Sequence, residues 1–350
     1  MLPENSYEKS VFLWLVSGVI LVFFQVVLGG ITRLTGSGLS ITEWNVIMGA
    51  LPPLNPQQWN EAFELYKATP QFELINPNMD LSGFKFIFFW EFVHRLWARM
   101  MGLIFLFPFL WFLIKGKLST RLVKKLGIVI LMAVWVASVG WLMVRSGLVD
   151  RPWVSPFRLS IHLTSAVVLF GYLWWVMLSE SKLSKGKKPK KSLLNLSIGF
   201  SILILLQIVF GGLMAGMKAG LVYPTFPLMN GELLPSELLV PANWSMDAWA
   251  NYDTTIFART FVQFIHRLLA VLIVIVSGIL WFKKSVLPTV MKRTINLLNL
   301  TVLAQFILGV LTVINCKGEI PLVLGVLHQA CALILWAVAL TLNFQTKKSC

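Results

Sequence analysis

The chain has 350 residues, 57% of them hydrophobic and only 13% charged, with 30 Lys and Arg against 15 Asp and Glu for a net charge of +15. Soluble domains carry about a quarter charged residues, so this composition excludes a water-soluble fold, a disordered chain and a disulfide-stapled secreted module. The basic excess suggests nucleic acid only until the charges are located.

Crossing about 30 Å of hydrocarbon takes roughly 20 apolar helical residues. In chain order, apolar runs of that size occupy residues 11–31, 86–114, 126–144, 159–178, 194–214, 256–282, 295–314 and 321–344. No succession of alternating segments points to a β-barrel. The expectation is an all-α polytopic membrane protein with eight transmembrane helices, its partner the lipid bilayer. Lys115, Lys117, Arg121, Lys124 and Lys125 follow span 2, and six lysines from Lys182 to Lys191 follow span 4. Lys283, Lys284, Lys292 and Arg293 follow span 6, and Lys347 and Lys348 end the chain. Basic residues mark cytoplasmic segments, so both termini are expected in the cytoplasm. This clustering accounts for the net charge without nucleic acid. The N-terminus has two glutamates and no Arg-rich amphipathic stretch, which is unlike a mitochondrial transit sequence; a bacterial inner membrane is the expected location.

The chain reads as a tandem repeat. Gln25-Val-Val-Leu-Gly-Gly30 in span 1 returns as Gln207-Ile-Val-Phe-Gly-Gly212 in span 5. Phe92-Val-His-Arg-Leu-Trp-Ala98 in span 2 returns as Phe264-Ile-His-Arg-Leu-Leu-Ala270 in span 6, and His162-Leu-Thr-Ser-Ala166 in span 4 as His328-Gln-Ala-Cys-Ala332 in span 8. Spans 3 and 7 match weakly, around Gly140 and Gly309. Two tandem four-helix bundles in one orientation, residues 1–180 and 181–350, explain the order of the matches, and such repeats place equivalent sites in each half.

The 4 histidines are His94, His162, His266 and His328, one on each even-numbered span. Each precedes the next cytoplasmic lysine by roughly 17–21 residues, or about 25–32 Å of helix, so all share one level toward the outer face. One intramembrane histidine is readily explained as an interhelical hydrogen-bond partner; four, duplicated and level, call for a function. A zinc or copper centre could use two per half, but carboxylate and thiolate ligands are scarce, and Cys316, Cys331 and Cys350 show no paired spacing. Two imidazoles from facing helices suit the axial positions of a haem iron. The proposed pairs are His94 with His162 and His266 with His328, with pairing across the halves left open.

The halves differ beside these ligands. Glu91 stands three residues before His94, where the second half has Gln263 before His266. Residues at i and i+3 share a helix face, so Glu91 marks one half as reactive, or it pairs with Arg95 or Arg99; the two readings are compatible. Arg95 and Arg267, next to the ligands, are candidates for haem propionate partners or snorkel to the interface. The outer loop 32–83 contains Trp44, Trp59, Pro52 and Pro53 and an amphipathic run at 57–66; with its counterpart 215–255 it is expected to cap the site, admit a lipophilic substrate sideways or anchor the interface.

With these residues in view, the chain resembles the haem A synthases over nearly its whole length. The motifs that carry the resemblance are Gly29-Gly-Ile-Thr-Arg-Leu-Thr-Gly-Ser-Gly-Leu-Ser40, Glu43-Trp44, Pro52-Pro53, Glu91-Phe-Val-His-Arg95, Phe226-Pro-Leu-Met-Asn-Gly231 and Phe264-Ile-His-Arg267. The resemblance implies oxidation of a methyl group of haem O to the formyl group of haem A, by two hydroxylations and loss of water from a gem-diol, for terminal oxidase biogenesis. It implies substrate haem at His94 and His162, haem b at His266 and His328, and a catalytic role for Glu91. The partners it implies are haem O, an electron acceptor of unassigned identity, haem O synthase, terminal oxidase assembly factors and a further copy of the chain in a homo-oligomer. Some family members have a cysteine pair in the first outer loop; this loop has none, which removes thiol-based electron transfer there. The reading from another class is a di-haem b membrane electron carrier, such as a quinol-linked cytochrome, and a third is a haem-free transporter or assembly factor. The Glu91–Gln263 asymmetry favours the enzyme, because a pure relay has no use for it.

Overall fold

The computed structural model describes residues 6–42, 51–148, 152–181 and 191–347. Glu43, Trp44, the lysines from Lys182 to Lys190, Lys348 and Cys350 lie outside the described residues. The fold is helical throughout the described residues, apart from an isolated bridge between Met229 and Glu232. Eight helices are long and apolar enough to cross a membrane. They are α1 (Ser6–Leu34), α4 (Leu81–Ile114), α5 (Thr120–Arg145), α6 (Pro156–Glu180), α7 (Lys191–Gly216), α9 (Phe257–Lys283), α10 (Thr289–Ile314) and α11 (Leu322–Lys347). Three short helices, α2 (Pro56–Lys67), α3 (Pro70–Ile75) and α8 (Met246–Ala250), belong to the connecting loops.

Each long helix contains one of the apolar runs, and capping residues decide where several begin. Asp80 accepts from Gly83 N–H at 2.8 Å and starts α4 ahead of its apolar run. Ser119 does the same for α5 through Leu122 N–H at 3.2 Å, and Pro156 opens α6 at a position that needs no N–H.

Helix α1 packs on α4, α6 and α11, and α5 packs on α6. Helix α7 packs on α9 and α11, and α10 on the same two. Helix α6 packs on α7 and α11 as well, and its contact with α7 is among the most extensive in the protein. One buried cluster runs through this centre, with Leu15, Leu173, Phe200, Ile204, Leu298 and Leu342 among its members. Outward-facing Leu131, Trp135, Leu300 and Val323 are exposed, as expected for side chains facing lipid tails.

The two outer loops are built differently. In the first, Asn55 and Thr69 cap α2 and α3, and the amphipathic α2 buries Phe63 and Tyr66 against Phe84 of α4, with ring centroids 5.1 and 5.3 Å apart. Trp59 lies edge-on to Phe88 at 5.0 Å. The first turns of α4 therefore serve as the platform for a folded cap. Gln71 Nε2 donates to Gly36 O at 3.0 Å and ties this cap to the turn after α1, where Gly36 has φ 68°, a left-handed conformation that glycine adopts without strain. The second loop has 3-10 turns and the single short helix α8 in place of α2 and α3. It is organised around buried Tyr223, whose hydroxyl donates to Glu237 at 2.7 Å. Burial, and then the neighbouring carboxylate, push that hydroxyl up to about 12, so it remains a donor.

Candidate functional site

The four histidines lie on α4, α6, α9 and α11, and each imidazole rests in a notch left by a glycine of a neighbouring helix. His94 lies against Gly29 of α1, where a Cβ would stand 3.2 Å from Nε2. A Cβ at Gly140 of α5 would stand 2.8 Å from His162 Cε1, and one at Gly309 of α10 would stand 3.0 Å from His328 Cε1. Gly211 of α7 also faces His266, but a Cβ there would stand 3.5 Å from Cε1, an ordinary contact. The repeated glycines thus make room for rings. Four residues before each glycine, one helical turn away and on the same face, stand Gln25, Val136, Gln207 and Gln305. Gln207 Nε2 is 3.1 Å from His266 Nε2, and Gln305 Nε2 is 3.2 Å from both ring nitrogens of His328. Gln25 Nε2 donates to the main-chain oxygen of His94 at 3.3 Å. At the remaining notch His162 Nδ1 meets the Val136 carbonyl at 3.1 Å.

His266 and His328 face each other with ring centroids 6.4 Å apart and planes inclined at 62°. Two imidazoles on opposite sides of one iron, each bound at about 2 Å, stand about 6 Å apart between centroids, so this pair fits a bis-histidine haem. Nδ1 of His266 is buried without a hydrogen-bond partner, a sign of a polar site built for a ligand. Among the described residues no group of three or more His, Cys, Asp and Glu converges. The pairing seen is that of His266 with His328.

Glu91 is 2% exposed and both of its carboxylate oxygens are engaged. Oε2 accepts from Ser40 N–H at 2.7 Å, Ser40 Oγ at 2.7 Å and Ile41 N–H at 2.9 Å. Oε1 pairs with Arg95 Nη2 at 2.7 Å, and the same Nη2 donates to Ile41 O at 3.1 Å. Glu91 and Arg95 together therefore clamp the chain just after α1. At the matching place Gln263 Nε2 donates to Tyr223 O at 2.9 Å, and Arg267 Nη2 donates to Tyr223 O and Thr225 O, each at 2.8 Å. Arg267 Nη1 reaches Pro227 O and Leu228 O, both at 3.4 Å. Arg267 thus holds carbonyls of the second outer loop, and Arg95 joins Ile41 of the first outer loop to Glu91. The physical reason for the Glu91–Gln263 difference lies in the loops: the first presents main-chain N–H groups, which need an acceptor, and the second presents a carbonyl, which needs a donor.

The second glycine of each Gly-Gly pair serves the contact between halves. A Cβ at Gly30 would stand 2.5 Å from Gln329 Oε1 on α11, and one at Gly212 would stand 2.8 Å from Ser160 Cα on α6. Gln329, next to His328, donates to Val26 O at 2.7 Å, and Ser160 Oγ donates to Val209 O at 2.7 Å. Gln329 was not singled out by sequence reasoning; its place beside a repeated histidine was the available signal.

The model of COX15-CtaA, cytochrome oxidase assembly protein, matches residues 12–340. The chain belongs to the COX15-CtaA family. Similar members from Flavobacterium psychrophilum and Flavobacterium johnsoniae, each named heme A synthase, are 43% and 40% identical to it. The alignments cover 94% of this chain and 96% of the first relative, and 99% and 100% for the second. A heme A synthase of Nitrosospira multiformis is 39% identical over 98% of this chain and 95% of its own length. The COX15-CtaA match spans all four histidine notches and both outer loops, so the geometry above falls inside the region shared with the family.

Proposed function

We propose that this chain is a heme A synthase of a bacterial inner membrane, oxidising a methyl group of haem O to the formyl group of haem A for terminal oxidase assembly. The observation that carries the reading is the facing pair His266 and His328, with the repeated His94 and His162, in a chain similar over nearly its full length to relatives of that name. In this reading His266 and His328 hold a resident haem b in residues 181–350, while His94 and His162 bind the substrate haem in residues 1–180. When bound, haem b supplies one-electron redox chemistry. The basic segments at the ends of α4, α6, α9 and α11 support a topology with both termini in the cytoplasm and the two loops outside. The roles of the side chains follow from their contacts. Glu91 sits one turn from His94 as a fixed negative charge, held by four donors, and favours positive charge developing on an oxidised carbon. Glu91 with Arg95, and Gln263 with Arg267, hold the outer loops closed over the sites and exclude water from them.

The notches provide a test of the two-histidine reading. Gly309→Ala is expected to displace His328 and lower the ratio of haem to purified protein at least severalfold. Gly278→Ala, where a Cβ meets open space on α9, is expected to leave it unchanged. Equal haem content in both variants would show that the notch does not set the ring position. The activity is tested by co-expressing the chain with a haem O supply, extracting the haems and separating them chromatographically. Haem A and an alcohol intermediate beside haem b are expected. Haem b with unchanged haem O, under oxidising conditions, would transfer the assignment to a di-haem electron carrier.

A further inference from the structure

At each histidine of α6 and α11 the neighbouring helix supplies two features four residues apart: the glycine that admits the ring and the group that meets its nitrogen. On α5 these are Gly140 and the main-chain oxygen of Val136, 3.1 Å from His162 Nδ1. On α10 they are Gly309 and the side chain of Gln305, whose amide lies 3.2 Å from His328. The Gln305 amide oxygen is buried and without a hydrogen-bond partner, and turning the amide places that oxygen beside both ring nitrogens, Nδ1 among them. A histidine that binds iron through Nε2 has a hydrogen on Nδ1, which needs an acceptor to fix the tautomer and ring plane and to raise ligand basicity.

We propose that Gln305 is the positioning residue of His328: its amide oxygen accepts the Nδ1 hydrogen, as the Val136 carbonyl does for His162, and so sets the affinity and reduction potential of the second-half haem. This rests on the reading of His266 and His328 as haem b ligands. A side chain in this place, where the first half uses main chain, makes the potential of the second site adjustable by a single substitution. An acceptor on Nδ1 makes the imidazole a stronger donor to iron and stabilises the oxidised form, so its removal raises the potential.

The experiment uses the full-length membrane protein, purified with its haem, and measures the haem-to-protein ratio, the rate of haem loss to an excess of apomyoglobin, and the midpoint potential by optical titration. Gln305→Leu is expected to speed haem loss about tenfold or more and to raise the potential. Gln305→Glu, which keeps and strengthens the acceptor, is expected to lower it. A role confined to filling space would leave the potential of Gln305→Leu at the wild-type value, and that result overturns the proposal. Potentials of both variants moving in one direction also overturn it. Should Gln305→Glu fail to accumulate, the Gln305→Leu potential alone decides. His328→Ala separates this inference from the reading beneath it: if that variant keeps the wild-type haem b spectrum, the ligand assignment fails; if it loses haem b while Gln305→Leu behaves as wild type, only the role of Gln305 fails.

Discussion

Glu91→Gln is expected to stop haem A formation, lowering it about a hundredfold or more, while the haem b spectrum of the second half stays as in the wild type. The amide has one acceptor oxygen where the carboxylate has two. Directed at Ser40 and Ile41, that oxygen keeps the loop contacts but turns the NH2 group toward Arg95, setting donor against donor. Directed at Arg95, it sets the NH2 group against two main-chain N–H groups and the Ser40 hydroxyl. Either way the Arg95 guanidinium loses its counter-charge. The pair has side chains only 13% and 3% exposed, and removing one partner of a buried pair costs about 3–5 kcal/mol. The loop after α1 is therefore expected to loosen as well, which limited proteolysis or hydrogen exchange of residues 35–42 would register. Glu91→Asp keeps the charge one methylene short and is expected to recover part of both properties. Haem A production at the wild-type rate in Glu91→Gln would remove the carboxylate from the mechanism.

His266→Ala and His328→Ala are each expected to abolish stably bound haem b, a larger effect than the roughly 10–100-fold cost of losing a partner of a metal ligand. Their imidazoles stand at a separation that one iron spans, so removing either leaves a single protein ligand. His94→Ala and His162→Ala act on the other site and are expected to leave haem b in place while stopping turnover. Circular dichroism of the purified variants checks that the helices persist, since the change removes a side chain from a glycine notch and leaves the backbone ladder intact. Wild-type haem b spectra in both His266→Ala and His328→Ala would refute the assignment.

Much of this was legible along the chain. The eight apolar runs appear as the eight long helices, because transfer of a helix into hydrocarbon depends on the summed hydrophobicity of about 20 consecutive residues. The four histidines stood out because an imidazole is costly in lipid. The glycines beside them were visible as repeats, but their purpose was not: Gly140 and Gly309 matched only weakly in sequence and became interpretable once each was seen under a ring. The outer loops were expected as caps or interface anchors; the first carries α2 packed on Phe84 and Phe88, and the second is wound around Tyr223. The amphipathic run at 57–66 announced α2, but its packing partners lie on α4 and could not be read from the loop.

Length, polarity and charge placement along the chain determined by themselves that this is a helical protein of eight spans, with two matched pairs of intramembrane histidines and an asymmetry at Glu91 and Gln263. The tertiary structure decided what that asymmetry does. A carboxylate and an amide of similar shape are told apart by the groups that reach them, and those groups belong to distant segments: the N–H groups of Ser40 and Ile41 at one, the carbonyl of Tyr223 at the other. Hydrophobic transfer sums over neighbours in sequence, whereas a buried hydrogen bond is satisfied by neighbours in space.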